Sequence, residues 1–159
     1  MGLSDKSFFK QSVSYIKEIN ENNSNWYGTL IMLTNHTPFS YIDEHSDLDV
    51  TYKYTEVLEE TGEVVEKSAP YLEGTVLGNY FKSVNYADEA IGQLISDMDK
   101  EGLLDNTVVI IYGDHDAKIK KSEYEYYYNY DYKTNSVIDK DNPNYHEVTD
   151  YEYEVNRKV

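Results

Sequence analysis

An acid and an imidazole, Asp114 and His115, stand side by side directly after Gly113 and the run Thr107-Val-Val-Ile-Ile-Tyr112. A carboxylate and an imidazole delivered together suit a divalent transition metal such as zinc or manganese. Neighbouring residues on a regular strand point to opposite faces. The two can therefore converge on one ion only where the strand breaks, and Gly113 supplies that break. The same dipeptide also serves plain turns, in which an aspartate accepts backbone hydrogen bonds, so the pair has a structural reading beside the metal reading. Asp116 is a weaker candidate, either as a ligand to the same ion or as an acceptor that orients His115.

A second histidine, His36, lies in Thr34-Asn-His-Thr-Pro-Phe39 after another apolar run, Trp26-Tyr-Gly-Thr-Leu-Ile-Met-Leu33. Pro38 restricts Thr37 to extended geometry and stiffens the loop beside the imidazole. His36 reads either as a site residue released at the end of a strand or as a histidine that hydrogen-bonds within its own turn. His45 and His146 fall in polar, irregular segments and read as surface positions. No nucleophile is marked. Thr34, Thr37 and Ser40 lie near His36 without distinction, and no Gly-x-Ser-x-Gly elbow, phosphate-binding loop or dinucleotide fingerprint occurs.

The elements that must position these residues follow from hydrophobic period. Ser4 to Ile19 reads as a helix, with Phe8, Phe9, Ser12, Val13, Ile16 and Ile19 near one face and Ser4 or Asp5 as its cap. Trp26 to Leu33 and Val108 to Ile111 are short apolar runs, expected to be strands buried on both faces of a parallel sheet. Both would then release polar residues at their carboxyl ends, where open α/β sheets place ligand sites. Val50 to Val57 and Val64 to Lys67 flank Gly62 and predict a hairpin. Val76, Tyr80, Val84, Ala87, Ile91, Leu94, Ile95 and Met98 repeat at threes and fours and predict a helix within 73–100, stopped by Gly102. Alternating helices and strands predict an α/β fold. After Ala117 the chain turns Tyr-rich and acidic with no core-sized apolar segment, and Glu154 to Val159 reads as the approach to another strand.

The chain has 159 residues, 30 acidic and 14 basic, for a formal net charge of −16, with 18 tyrosines and no cysteine. Such a charge argues against nucleic acid as a partner, because a phosphate backbone needs a basic footprint. The missing cysteines exclude disulfides and thiolate metal sites. Mean hydropathy is −0.71, no apolar run approaches the roughly 20 residues needed to span a bilayer, and Met1 to Lys6 lacks the layout of a signal peptide. The stretch is expected to be soluble as it stands.

Four segments give the chain a family resemblance: Gly2-Leu-Ser-Asp-Lys-Ser-Phe-Phe9, Leu33-Thr-Asn-His-Thr-Pro-Phe39, Gly78-Asn-Tyr-Phe-Lys-Ser-Val-Asn-Tyr-Ala-Asp88 and Asn106-Thr-Val-Val-Ile-Ile-Tyr-Gly-Asp-His115. In order and in motif they resemble the lipoteichoic acid synthase family, phosphoglycerol transferases with a sulfatase-like catalytic domain of the alkaline phosphatase superfamily. The resemblance implies a partial α/β/α sandwich lacking both ends. Residues 1–39 and 73–117 would be its core, 40–72 a polar hairpin excursion and 118–159 a Tyr-rich acidic tail. It also implies that Asp114 and His115 bind the catalytic manganese, or another divalent metal such as magnesium or zinc, and that His36 contacts the phosphoglycerol group of the substrate.

The family's threonine nucleophile and a glutamate metal ligand precede the first matching segment, and neither has a counterpart here. The 159 residues alone are therefore expected to be inactive and to bind manganese weakly. The partners implied are an anionic glycerophospholipid headgroup and a polyglycerolphosphate acceptor, with the parent enzyme in the bacterial cell membrane and its catalytic domain extracellular. Two other readings compete. One is a sulfatase-fold phosphodiesterase or sulfatase acting on another substrate. The other is a non-catalytic acidic module that binds cations or glycans.

Overall fold

The structure, a computed structural model, describes residues 3–39 and 46–157. Four helices, α1 (Asp5–Asn22), α2 (Val76–Lys100), α3 (Lys121–Asn129) and α4 (Asp150–Asn156), accompany two antiparallel two-stranded sheets. One sheet pairs β1 (Tyr52–Val57) with β2 (Val64–Ala69), and the other pairs β3 (Tyr130–Asp131) with β4 (Ser136–Val137). The chain divides into two compact units. Unit 1 comprises residues 1–46 and 83–113, and unit 2 comprises 47–82 and 114–159.

Unit 1 is built on α1 and the later part of α2. Ser4 caps α1 by accepting from the Ser7 N–H, and Phe9, Ser12, Val13 and Ile16 are buried along one face. The α2 residues Ala90, Leu94 and Met98 close on Phe9, Val13 and Ile16, with Leu103 and the partly buried Trp26 and Met32. The buried stripe of α2 differs from the expected one. It passes through Ser83, Ala87, Ala90, Leu94 and Met98, while Val76 and Val84 are exposed. Gly102 ends the helix as expected, at φ +67°, a conformation a side chain would oppose. The Gly102 N–H donates to Asp99 O and the Leu103 N–H to Met98 O. This is a Schellman stop, and its usual apolar contact is the packing of Leu103 with Met98 in the core.

The two runs expected to be buried parallel strands are neither buried nor paired. Residues 26–33 and 108–112 lie in no sheet among the described residues. Apart from Trp26 and Met32, which pack partly against the unit 1 core, their side chains are exposed: Ile31 is 69% exposed, Val108 86% and Ile110 76%. A strand is buried by the strands and helices beside it, and its backbone N–H and C=O groups need a ladder to receive them. The only described strands belong to the two small hairpins, so no ladder forms.

Unit 2 carries the predicted hairpin. Tyr52 pairs with Ala69 and Val57 with Val64, and Gly62 turns the loop at φ +71°. Beyond Ala117, where no core-sized apolar segment occurs, tyrosines supply much of the packing. Tyr71 packs against Tyr52, Tyr127 and Tyr130, and Tyr124 against Tyr153. Leu72, Leu77, Ile119 and Val148 fill the interior. Buried Asn129 donates its side-chain amide to Glu125 O and His146 O and accepts from the His146 N–H, which ties the last loop to α3. Residues 150–156 form a helix where the approach to a strand was expected. Thr149 and Glu152 exchange side-chain and backbone hydrogen bonds in a capping box, a spacing legible in Thr149-Asp-Tyr-Glu152.

Candidate functional site

The loop that carries His36 is held from α1. Asp5 is 2% exposed, and its two carboxylate oxygens accept from the Leu33 N–H at 3.0 Å and the Thr34 N–H at 3.1 Å. The Asp5 N–H donates back to the Thr34 hydroxyl at 3.3 Å. Asp5 is thus a clamp on the loop rather than the cap of its helix, and Thr34 is engaged as an acceptor. From α2, the Ser83 hydroxyl donates to Asn35 Oδ1. At the far end of the loop Phe39 is buried and its N–H donates to His36 O at 3.3 Å. His36 stands exposed between these anchors. Its Nδ1 donates to Thr37 O at 2.7 Å, so the local hydrogen bond foreseen for it forms. Because a carbonyl can only accept, a proton sits on Nδ1, so in the neutral ring Nε2 is the nitrogen left with a lone pair.

His115 repeats the device in unit 2. Its Nδ1 donates to Asp116 O at 2.9 Å, which again frees Nε2. That nitrogen lies 3.8 Å from Asp114 Oδ1, and the two side chains are 54% and 84% exposed. Two ligands about 2.1 Å from a shared ion stand roughly 3.4 Å apart at the tetrahedral angle, close to the spacing observed. The pair therefore fits a divalent ion in donor type, in tautomer and in reach. It supplies two ligands only. Among the described residues no group of three His, Asp or Glu side chains is placed to hold a metal.

Asp116 neither joins the pair nor orients His115 through its carboxylate, since its backbone carbonyl does the orienting. The carboxylate meets Arg157 Nε at 2.5 Å. Its own backbone N–H and the guanidinium hold its carboxyl below the usual range. His146, expected at the surface, is half-buried: its ring packs on Tyr128 and Nε2 lies 3.0 Å from Glu152 Oε1. His36 belongs to unit 1, whereas Asp114 and His115 belong to unit 2. Ser40 and His45 lie outside the described residues.

Sequence reasoning missed the Asp5 clamp and the matched histidine tautomers. An acid directly after the serine cap is the only local sign of the first. The second has none, because a hydrogen bond to the next residue's carbonyl depends on loop conformation.

A family profile described as Sulfatase matches residues 1–148. The chain is 39% identical over 115 residues to proteins named lipoteichoic acid synthase in Staphylococcus aureus, including strains USA300, NCTC 8325 / PS 47 and MRSA252. The alignment covers 72% of this chain and 14% of each relative, so the chain spans a small part of the curated relatives it matches. No solved structure matches it significantly. Among the described residues no helix is long and apolar enough to cross a membrane. The similarity covers the Leu33–Phe39 loop and the Tyr112–His115 turn within one family profile, and with it the chain belongs to the sulfatase family, bearing out the resemblance to its lipoteichoic acid synthases.

Proposed function

We propose that this chain supplies the metal-binding turn and a substrate-contacting loop of a phosphoglycerol transferase, which moves phosphoglycerol from a lipid headgroup to a growing polyglycerolphosphate chain. The observation that carries the reading is the Asp114–His115 pair, with Nδ1 fixed by Asp116 O and Nε2 turned free 3.8 Å from the carboxylate. Asp114 would hold the ion through a carboxylate oxygen and His115 through Nε2. One carboxylate and one imidazole suit manganese or zinc better than magnesium, which favours an all-oxygen shell. When bound, such an ion stabilises charge on a transferring phosphoryl group. His36 presents Nε2 toward solvent, where in the neutral ring it would accept a hydrogen bond from a glycerol hydroxyl, in a loop that Asp5 keeps in place.

The name of the matched relatives, lipoteichoic acid synthase, supports the transferase over a sulfatase acting on another substrate. On this reading the sandwich of the alkaline phosphatase type is completed by other segments of a membrane-anchored parent, with its catalytic domain outside the cell. The threonine nucleophile and a glutamate ligand belong to those segments as well, so the 159 residues alone bind manganese weakly and turn over nothing. Manganese titration followed by electron paramagnetic resonance tests the site. Asp114→Ala and His115→Ala should each weaken binding at least about tenfold. Equal affinity in all three proteins would identify a diffuse acidic binder instead, and release of phosphoglycerol from a lipid headgroup by the chain alone would contradict the predicted inactivity.

A further inference from the structure

Most of the described lysines are tied to acids. Lys6 meets Glu89, Lys17 meets Glu101, Lys53 meets Asp49, Lys82 meets Glu73 and Lys121 meets Asp150. Lys118 and Lys120 are exposed and meet no acid among the described residues. They flank Ile119, which is 1% exposed and whose carbonyl accepts from the Tyr153 hydroxyl at 2.9 Å. They line a cleft of about 340 Å³, together with Asp116, Tyr153 and Arg157.

Three cations against one carboxylate give this cleft a local positive sign in a chain whose net charge is −16. Arg157 is occupied, with Nε 2.5 Å from Asp116 and 3.6 Å from Glu154. The two lysines are therefore the groups ready for a ligand. Helix α3 begins at the same place, and its N-cap Lys120 makes no side-chain cap. Its positive end adds to theirs, with Glu123 of the first turn in partial opposition. A cleft that concentrates unpaired ammonium groups selects an anion, and the size suits a phosphate with a short polyol on either side. Asp116, on its wall, is next to His115 in the chain.

We infer that this cleft seats a phosphodiester of the glycerophosphate type through Lys118 and Lys120, beside the Asp114–His115 turn. The assignment rests on the phosphoglycerol-transfer reading for its substrate class, but the seat itself needs no metal. The test is therefore run on the full chain in a chelator. Glycerophosphoglycerol is titrated while the backbone amides of residues 117–120 are followed by NMR. Vesicles of phosphatidylglycerol in phosphatidylcholine, against phosphatidylcholine alone, report whether a lipid headgroup is taken as readily as the free diester.

Lys118→Gln/Lys120→Gln should weaken glycerophosphoglycerol binding at least about tenfold, and Lys118→Arg/Lys120→Arg should retain it. Asp116→Asn, which removes the competing carboxylate, should strengthen it. Binding that is absent from the wild type, or equal in the wild type and the glutamine variant, overturns the seat whatever the manganese titration gives. Loss of manganese binding alone overturns the metal reading and leaves the seat standing.

Discussion

In unit 1, Ile31, Leu33, Val108 and Ile110 hold their side chains in solvent, although they belong to the most apolar runs in the chain. In unit 2, a tail with no such run hides Tyr124 to 6% exposure and packs Tyr71 among three other rings. The difference lies in what each residue type needs from its neighbours. A β-branched strand residue buries its side chain only after its backbone has found a ladder, since unpaired peptide groups cannot follow it inside. A tyrosine on a helix already has its backbone satisfied. Its ring can pack on another ring, and its hydroxyl can reach a nearby carbonyl. Tyr126 of α3 donates to Tyr71 O and Tyr153 of α4 to Ile119 O, while Tyr71, in the turn before α2, donates to Tyr127 O. Apolar sequence alone therefore did not decide which region closed on itself.

The largest effect that would break this contrast is alkaline. Burial pushes the Tyr71, Tyr80 and Tyr126 phenols upward and Tyr124 up to about 12. A phenol whose folded value lies above its unfolded value of about 10 gives stability that is intact below pH 10. It is lost as the pH climbs toward the folded value, because the unfolded chain then holds fewer protons. Unit 2 should keep its near-UV dichroism to about pH 10 and lose it between about 10 and 12, with tyrosinate absorbance rising in step. Trp26 is the only tryptophan and packs against the unit 1 core, so its fluorescence reports on the other region. Tyrosinate absorbance that rises smoothly around pH 10 with no loss of dichroism would mean the rings are not held as described.

Next in size is Tyr124→Ala. Removing a buried aromatic side chain costs about 3–5 kcal/mol, and here the contact with Tyr153 is lost as well. Denaturant unfolding followed by near-UV dichroism should show a shift of that order. A cost under about 1 kcal/mol would place Tyr124 on a surface.

Helices α1 and α2 and the β1–β2 hairpin were legible because their signals are local, whereas α3, α4 and the β3–β4 hairpin were not foreseen. Ser4 capping α1, Gly102 stopping α2 and Gly62 turning between β1 and β2 each act within a few residues. The core stripe of α2 was legible only in part, since Val76 and Val84 keep the period yet face solvent. The lack of a sheet at 26–33 and 108–112 was not legible at all. Their composition records the environment such strands suit, and the partner that provides it is not written in the strand itself. At the site, only the Asp114–His115 adjacency could be read from residue types; the strand that Gly113 was expected to break does not form among the described residues. The diversion of Asp116 to Arg157 depends on α4 delivering a guanidinium 41 positions later, which no local pattern signals.

The smallest expected effect is the sharpest test of the contrast. Ile110→Lys places a charge in a run that would tolerate none if it lay inside a sheet, where an unpaired buried charge costs several kcal/mol. At 76% exposure Ile110 has little packing to lose, so the change should stay within about 0.5 kcal/mol by Trp26 fluorescence. A bare β-branched run with free backbone groups also invites pairing between molecules. The same substitution should therefore reduce any concentration-dependent association seen by sedimentation. If Ile110→Lys instead destabilises unit 1 as strongly as Tyr124→Ala destabilises unit 2, the run is packed in solution. The two regions would then bury their apolar residues by the same means, and a missing ladder would no longer separate them.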